Sequence, residues 1–233
     1  GITHHAKVIS FFEGNENDRL ESLVEILKEG NDLLVITDAG MPGISDPGYR
    51  LIAVAIENEI PVSVIPGPSA VTTALLLSGL ATDRFSFEGF APRTSGARKT
   101  WAEKLAEEER TWIFFEAPHR LEECLSDLTT VLANRRIAIC REMTKTYEEN
   151  FRGTVQEALD WSRSKEILGE LTIVVEGFNP DSREFSDEFL VGEVLKREGA
   201  GEERKEAIAA VAKHYGMQKR VVFDAMVQAK IRS

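Results

Sequence analysis

Apolar residues follow two alternating periods along most of the chain, and this alternation predicts an α/β protein. Short apolar runs bounded by charged residues or glycine indicate strands, whereas apolar residues three or four positions apart indicate helices. The predicted strands span residues 8–12, 33–37, 62–65, 85–90, 112–116, 136–141, 148–153 and 171–176. The predicted helices between them span residues 18–29, 49–58, 70–77, 99–107, 121–132 and 155–161, with Asp18, Ser69 and Thr154 as N-caps of three of them.

Beyond residue 178 only the helical period remains. Three apolar faces follow one another: Phe189, Leu190, Val194 and Leu195; Ile208, Val211 and Ala212; and Val221, Val222, Ala225 and Met226. A short turn at residues 214–218 separates the last two and predicts a helix–turn–helix arrangement. We therefore expect an N-terminal α/β lobe (1–83), a C-terminal α/β lobe (84–178) and a helical extension (179–233).

The charge balance narrows the classes of function. The formal net charge is −11, with 28 Lys and Arg against 39 Asp and Glu. This balance argues against a protein whose surface as a whole is basic and binds nucleic acid. After residue 203, however, basic residues outnumber acidic ones, which indicates either a local nucleic-acid surface or an ordinary solvated helix face. No apolar run approaches a membrane span, so we expect a cytoplasmic protein without a membrane partner. The two cysteines are expected to be buried free thiols.

Turns at the ends of predicted strands are the candidate sites, because ligands of α/β sheets bind at the carboxyl ends of strands. Two of these turns, residues 38–48 and 66–70, are rich in glycine and proline. A third group is charged: Glu116, His119, Arg120, Arg141, Glu142 and Lys145. Each charged residue could equally cap a helix or form an ordinary ion pair. The spacing of Cys, His, Asp and Glu predicts no metal site.

Six motifs in order resemble the tetrapyrrole-methylase-like enzymes. They are TDAGMPGISDPG, IPGPSAVTTAL, FEGFAPR, FFEAPHRL, REMTKTYEE and VVEGF, and the similarity covers roughly residues 1–178. The resemblance is strongest to the branch that methylates the ribose 2′-hydroxyl of a cytidine in small-subunit (16S) ribosomal RNA, which also has a helical extension. It implies a two-lobed α/β fold with a helix–turn–helix-like C-terminal extension, the cofactor S-adenosyl-L-methionine, ribosomal RNA or the 30S subunit as substrate, and a homodimer.

The resemblance also implies roles for individual residues. The cofactor would be lined by Asp38, Ala39, Gly40, Met41, Pro42, Ile44, Ser69, Ala70, Phe115, Glu116 and Gly153. The family begins with a further strand, glycine loop and helix, so we expect the present chain to lack that segment. The branch also carries a histidine-rich motif where this chain has Phe12-Glu-Gly-Asn15, so no role of those histidines is transferred.

Chemical reasoning suggests the remaining assignments. A ribose 2′-oxygen attacking an activated methyl group needs a proton acceptor and a nearby cation, and Glu142 and Lys145 are the catalytic candidates. The basic residues expected to contact RNA are Arg93, Arg98, Lys99, Arg120, Arg141, Lys219 and Arg220. Two alternatives stay open: a corrin-type tetrapyrrole methyltransferase, and a non-catalytic nucleic-acid-binding or regulatory protein.

Overall fold

A mixed sheet of five strands, in the order β1–β2–β5–β3–β4, organises the chain. The computed structural model describes residues 6–12, 14–38, 40–180, 186–215 and 217–232. The strands are β1 (Phe85–Phe90), β2 (Thr111–Glu116), β3 (Arg136–Arg141), β4 (Glu149–Thr154) and β5 (Leu171–Val175). The pair β1–β2 is parallel, and the other three pairs are antiparallel, including the predicted pair β3–β4.

The described residues also form α-helices. They are α1 (Glu16–Lys28), α2 (Tyr49–Glu57), α3 (Ala70–Ser78), α4 (Ser95–Leu105), α5 (Leu121–Leu132), α6 (Val155–Arg163), α7 (Asp187–Gly199), α8 (Arg204–His214) and α9 (Lys219–Arg232). A short 3-10 helix, Pro118–Arg120, precedes α5. In the described ranges, no helix combines the length and apolar character needed to cross a membrane.

Successive side chains along each strand point to opposite faces of the sheet, and apolar side chains are buried on both faces. Ile113, Val174 and Ala138 are paired neighbours on three strands and pack on α3 in one apolar cluster. On the other face Phe114 lies beside Ile173 and its ring centroid is 5.2 Å from that of Trp101 on α4. Full burial of such side chains stabilises the fold by about 1.5–3 kcal/mol each, so these strands are held by packing on both faces.

The cap of α6 explains where β4 ends and the next helix begins. The side chain of Thr154 accepts a hydrogen bond from the N–H of Glu157, and Glu157 accepts one from the N–H of Thr154. This capping box, at the predicted position, satisfies backbone donors that the helix cannot pair internally. The predicted N-cap at Asp18 is wrong, because α1 begins two residues earlier, at Glu16, and Asp18 lies in its first turn.

The three strands predicted before residue 70 are not strands in the structure. Residues 8–12, 33–37 and 62–65 have no strand assignment, and Leu34 and Ile36 are 77% and 78% exposed. An apolar run favours extended backbone, but a strand also needs a neighbour that pairs with it, which the pattern itself does not supply. In this part of the chain the helices α1 and α2 pack on each other instead.

The chain divides into two units. The first comprises Gly1–Ala102 with Thr111–Glu176, and the second Glu103–Arg110 with Gly177–Ser233. In the second unit α7, α8 and α9 enclose a separate apolar core made of Leu190, Val194, Ala207, Ile208, Val211, Ala212, Val222 and Ala225. The predicted lobe boundary at residue 83 lies inside the first unit and stays a prediction. Residues 181–185, part of the predicted linker, and Gly216 lie outside the described residues.

Candidate functional site

Three strands end at the same edge of the sheet, which we call the carboxyl edge. Glu116 at the end of β2 pairs with Leu171, Leu171 pairs with Arg141 at the end of β3, and Arg141 pairs with Glu149. The parallel strand β1 also ends here, at Phe90. The charged candidates Glu116, Arg120, Arg141, Glu142 and Lys145 therefore lie at one edge, as the strand-end argument predicts.

The N-terminal end of helix α3 lies toward the carboxyl edge of the sheet. The thiol of Cys140, next to Arg141, contacts the carbonyl oxygen of Ala74 at 3.9 Å. Further from the edge, the Nε of Arg152 donates to the carbonyl of Leu77 at 2.8 Å, and Arg152 is paired with Ala138. The helix thus runs away from the edge. The structure thereby brings the first turn of α3, with Ser69 and Ala70, to the end of the sheet where Phe115 and Glu116 lie.

The N-terminus of α3 offers free donors. Ser69 occupies the N-cap position, but its side chain makes no capping hydrogen bond. The N–H groups of a first helical turn have no partner within the helix and favour polar or anionic ligands. The side chain of Phe115 lies on the same face of the sheet, with its ring 4.9 Å from that of Phe87 and 5.5 Å from that of Phe90.

Glu142 and Lys145 form a tight ion-pair cluster with Glu170. The Nζ of Lys145 is 3.0 Å from Oε1 of Glu142 and 2.9 Å from Oε2 of Glu170. The N–H of Glu170 donates to Oε1 of Glu142 at 2.8 Å, and the N–H of Glu142 donates to the carbonyl of Glu170 at 3.0 Å. Glu142 adopts a positive φ of 49°, a conformation that these contacts stabilise.

These contacts set the protonation of both candidates. The N–H of Glu170, and then the ammonium group of Lys145, lower the pKa of Glu142. Hydrogen bonds to Glu170 and Glu142 raise the pKa of Lys145. At neutral pH the pair is therefore firmly ionised, with the carboxylate a weaker proton acceptor than an ordinary glutamate.

Arg141, predicted to contact RNA, is engaged within the protein. Its Nε is 3.1 Å from Oε2 of Glu149, and its Nη1 donates to the carbonyl of Leu168 at 3.2 Å. Glu149 also pairs with Lys165. The bonds from Lys165, and to a smaller degree from Arg141, lower the pKa of Glu149. Arg141 is thus part of the framework of the carboxyl edge.

A second ionic network is buried between β2, α4 and α5. Arg98 is 2% exposed, and its Nε donates to Oδ2 of Asp127 at 2.7 Å. Asp127 also accepts a hydrogen bond from Ser95 at 2.8 Å. The expectation that Arg98 contacts RNA is wrong, because its buried guanidinium group bonds to Asp127 and to the carbonyl of Arg93.

Glu116 and Arg120 belong to the same buried region. Glu116 is 2% exposed, accepts from the N–H of Ala117 at 2.7 Å, and has its Oε2 3.2 Å from Nη2 of Arg120. Burial raises the pKa of Glu116, against the opposing effects of the Ala117 N–H and Arg120. The Glu116 side chain therefore lies inside the protein, and only its backbone can line a ligand.

The glycine-rich turn is held by α1. The N–H of Gly48 donates to Oε1 of the buried Glu16 at 3.1 Å, and the hydroxyl of Thr37 donates to Asp46 at 3.1 Å. Gly43 and Gly48 have positive φ angles of 80° and 132°, and a side chain on Gly48 would meet the backbone of Gly43. Of the predicted cofactor residues, Asp38, Gly40 and Ile44 are exposed, Met41 and Pro42 half-buried, and Ala39 lies outside the described residues.

Gly153 does not share the carboxyl edge. It pairs with Ile137, four residues before Arg141 on β3, and so lies about 13 Å along the strand from the charged cluster. Gly153, which the resemblance implies as a cofactor residue, therefore lies away from Phe115 and Glu116. Strand β4 runs antiparallel to β3, which places the end of β4 at the opposite edge.

The other predicted RNA contacts are accessible to solvent. Arg93 and Lys99 are exposed near the carboxyl edge, and the ammonium of Lys99 lies 3.8 Å from Asp127. In the second unit Lys219 and Arg220 are exposed in the first turn of α9.

Sequence reasoning missed Asp127 and Glu170. Asp127 is one residue from Leu128 on the buried side of α5, and a carboxylate beside an apolar face requires a partner. That signal could have pointed to Arg98. The sequence gives no such signal for Glu170, because its role depends on contacts between the segment before β5 and Glu142, which follows β3.

Comparison with known proteins identifies the family. The family described as Tetrapyrrole (Corrin/Porphyrin) Methylases matches residues 3–159. The chain belongs to this family. Methyltransferases of the tetrapyrrole methylase family use S-adenosyl-L-methionine as methyl donor. The match covers most of the first unit, including the turns and the ends of β1, β2 and β3.

Two relatives define the branch within the tetrapyrrole methylase family. The chain is 45% identical to the ribosomal RNA small subunit methyltransferase I of Mycobacterium bovis over 226 residues, covering 96% of this chain and 78% of that protein. It is 41% identical to the enzyme of the same name from Halalkalibacterium halodurans, covering 94% and 77% respectively.

Among solved structures, the chain resembles the methyltransferase CobJ with a TM-score of 0.53 and 18% identity, covering 70% of this chain and 71% of the other. This likeness confirms the predicted fold.

Proposed function

We propose that this protein is an S-adenosyl-L-methionine-dependent methyltransferase that modifies the ribose 2′-hydroxyl of a cytidine in small-subunit ribosomal RNA. The observation that carries the proposal is the 45% identity, over 96% of the chain, to an enzyme named ribosomal RNA small subunit methyltransferase I. The likeness to CobJ concerns the fold alone, so it does not favour a corrin substrate.

The residues at the carboxyl edge suit such a cofactor. Its amino-acid carboxylate matches the unpaired N–H donors at the start of α3, beside Ser69. Its apolar parts match the ring of Phe115 on the same face of the sheet. The positive-φ glycines of the 38–48 turn allow close backbone approach. When bound, the cofactor supplies a methyl group on a sulfonium, already activated for displacement.

Glu142 and Lys145 are the proposed catalytic pair. The 2′-oxygen would form a bond to the methyl carbon as the carbon–sulfur bond breaks, and the hydroxyl proton would leave toward Glu142. Because the pKa of Glu142 is lowered, its proton uptake is weak, and the stronger contribution is expected from the ammonium group of Lys145 near the developing oxyanion. Positioning of the two substrates supplies much of the remaining rate.

The exposed basic residues Arg93, Lys99, Lys219 and Arg220 are the proposed RNA contacts. Each can neutralise a phosphate, so binding should weaken steeply as salt rises. We further propose the assembled 30S subunit as substrate, a homodimer as the active form and the cytoplasm as the location.

Transfer of a tritiated methyl group tests the proposal. The protein is incubated with labelled cofactor and either small ribosomal subunits lacking the modification or a tetrapyrrole substrate. Label in the ribosomal RNA alone supports the proposed function. Label in the tetrapyrrole alone would establish the corrin-type alternative, and no transfer to either, with intact cofactor binding, would favour a non-catalytic binding protein.

A further inference from the structure

Three consecutive backbone carbonyl groups between β1 and α4 point at two arginine side chains. The Nη2 of Arg120 donates to the carbonyls of Ala91 and Pro92 at 2.8 and 2.9 Å. The Nη1 of Arg98 donates to the carbonyl of Arg93 at 2.9 Å and lies 3.4 Å from that of Pro92. We call residues 91–94 the arginine-held loop.

Both guanidinium groups are themselves fixed from the protein interior. Asp127 binds Arg98, and the fully buried carboxylate of Glu116 lies 3.2 Å from Arg120. Arg120 retains only one-fifth of its side-chain exposure. Because charged groups at this depth are restrained by their counter-ions, the donors that meet the loop have defined positions.

The ends of the arginine-held loop are also fixed. The N–H of Ala91 donates to the carbonyl of Phe115 at 3.2 Å, which continues the β1–β2 pairing. The N–H of Arg98 donates to the carbonyl of Thr94 at 2.9 Å, at the start of α4. With both ends and three carbonyls held, the loop has little conformational freedom left to lose when a ligand binds.

The arginine-held loop displays an exposed cation at the carboxyl edge. Arg93 is exposed, although its own carbonyl faces Arg98. Immediately before the loop, Phe90 is 57% exposed, and its ring centroid is 5.5 Å from that of Phe115. An exposed arginine thus follows an exposed phenylalanine by three residues at the end of β1, and these two residue types suit a phosphate and an unstacked base.

We propose that Arg98 and Arg120 are positioning residues that hold Arg93 against a phosphate of the RNA substrate. This inference rests on the proposed function and deepens it. The buried Arg98 and the half-buried Arg120 do not contact RNA themselves; both act through the backbone of the arginine-held loop.

A double-mutant cycle between Arg120 and Arg93 tests the proposal, with binding to small ribosomal subunits measured across a salt series. Arg93→Ala is expected to weaken binding about tenfold, the effect of one charge-assisted contact, and to reduce the salt slope by about 1. Arg120→Gln is expected to weaken binding by a similar factor alone, but less than twofold in the Arg93→Ala background. Arg120→Lys, which keeps a donor for the two carbonyls, should restore most of the affinity.

Three controls distinguish a loss of the position of Arg93 from a general loss of structure. Arg163→Gln removes an exposed arginine that pairs with Glu122 nearby, and it should leave RNA affinity unchanged. Binding of S-adenosyl-L-methionine should be equal in all variants. Unfolding followed by tryptophan fluorescence checks that Arg120→Gln is folded at the assay temperature.

The results distinguish this inference from the proposed function. If the wild-type protein methylates ribosomal RNA but the losses from Arg93→Ala and Arg120→Gln multiply independently, the positioning role is wrong. An Arg93→Ala variant with wild-type affinity would also overturn it. If the wild-type protein neither binds nor methylates ribosomal subunits, the proposed function and this inference fall together.

Discussion

Loss of the Asp127 carboxylate should strongly destabilise the first unit. Asp127→Ala removes the hydrogen-bonded anion from Arg98, whose side chain is only 3% exposed, and also removes the acceptor for Ser95. The carboxylate of Glu123 lies 3.4 Å from Arg98, but it is 76% exposed and compensates only in part. Breaking a buried ion pair from one side costs about 3–5 kcal/mol, and this partial compensation places the expected loss near the lower end.

Glu122→Ala on the same helix is the matched control. Its pair with Arg163 has side chains that are 58% and 49% exposed, and such surface pairs contribute about 0–1 kcal/mol. The two variants therefore remove a carboxylate from the same helix and differ mainly in burial.

Urea unfolding followed by tryptophan fluorescence measures the difference. All three tryptophans, Trp101, Trp112 and Trp161, lie in the first unit, so the signal reports that unit alone. With an m value of about 2 kcal/mol/M, a loss of about 3 kcal/mol lowers the midpoint by about 1.5 M. If Asp127→Ala costs under about 1 kcal/mol and matches Glu122→Ala, Arg98 is not held by a buried charge pair and the reasoning is refuted.

Three further predictions follow from the ionic contacts and the cap of α6. Thr154→Ala should cost about 1 kcal/mol in the same unfolding assay, because it removes one half of the capping box, whereas Thr154→Ser should cost less; equal losses would contradict the capping role. Burial alone would raise the pKa of Asp127, but bonds from Ser95 and Arg98 outweigh it and the pKa is lowered, so its stabilising contribution is present above the unfolded-state pKa and is lost as the pH falls. The stability gap between wild type and Asp127→Asn should accordingly shrink between about pH 5 and pH 2, and a constant gap would contradict the assignment. For catalysis, Lys145→Met should lower kcat of methyl transfer more than Glu142→Gln does, with little change in affinity for the cofactor; wild-type turnover in both variants would remove the pair from the proposed mechanism.

Prediction from the sequence succeeded where local pattern and tertiary environment agree. Helix α5 spans Leu121–Leu132 as its apolar period predicts, and strands β1 and β3 have the predicted bounds. Strands such as β2 are buried on both faces of the sheet, and a continuous apolar run predicts such a strand without further information.

The errors concern what a single segment cannot encode. Residues 33–37 have the composition of a strand, yet pairing depends on another segment. The family resemblance places Gly153 and Glu116 at the same cofactor, but the direction of each strand in the sheet puts their ends at opposite edges. From the sequence, Arg98 is predicted to be a surface cation in a polar loop. In the structure it is buried against Asp127, which lies 29 residues away in the chain.

The chemical position of the transferred methyl group tests the central claim most directly. Ribosomal RNA labelled by the protein is hydrolysed with alkali, which cleaves next to a free 2′-hydroxyl but not next to a methylated one. The proposed function predicts that the label is recovered in an alkali-resistant dinucleotide whose first residue is cytidine. Label recovered in mononucleotides would place the methyl group on a base and contradict the account.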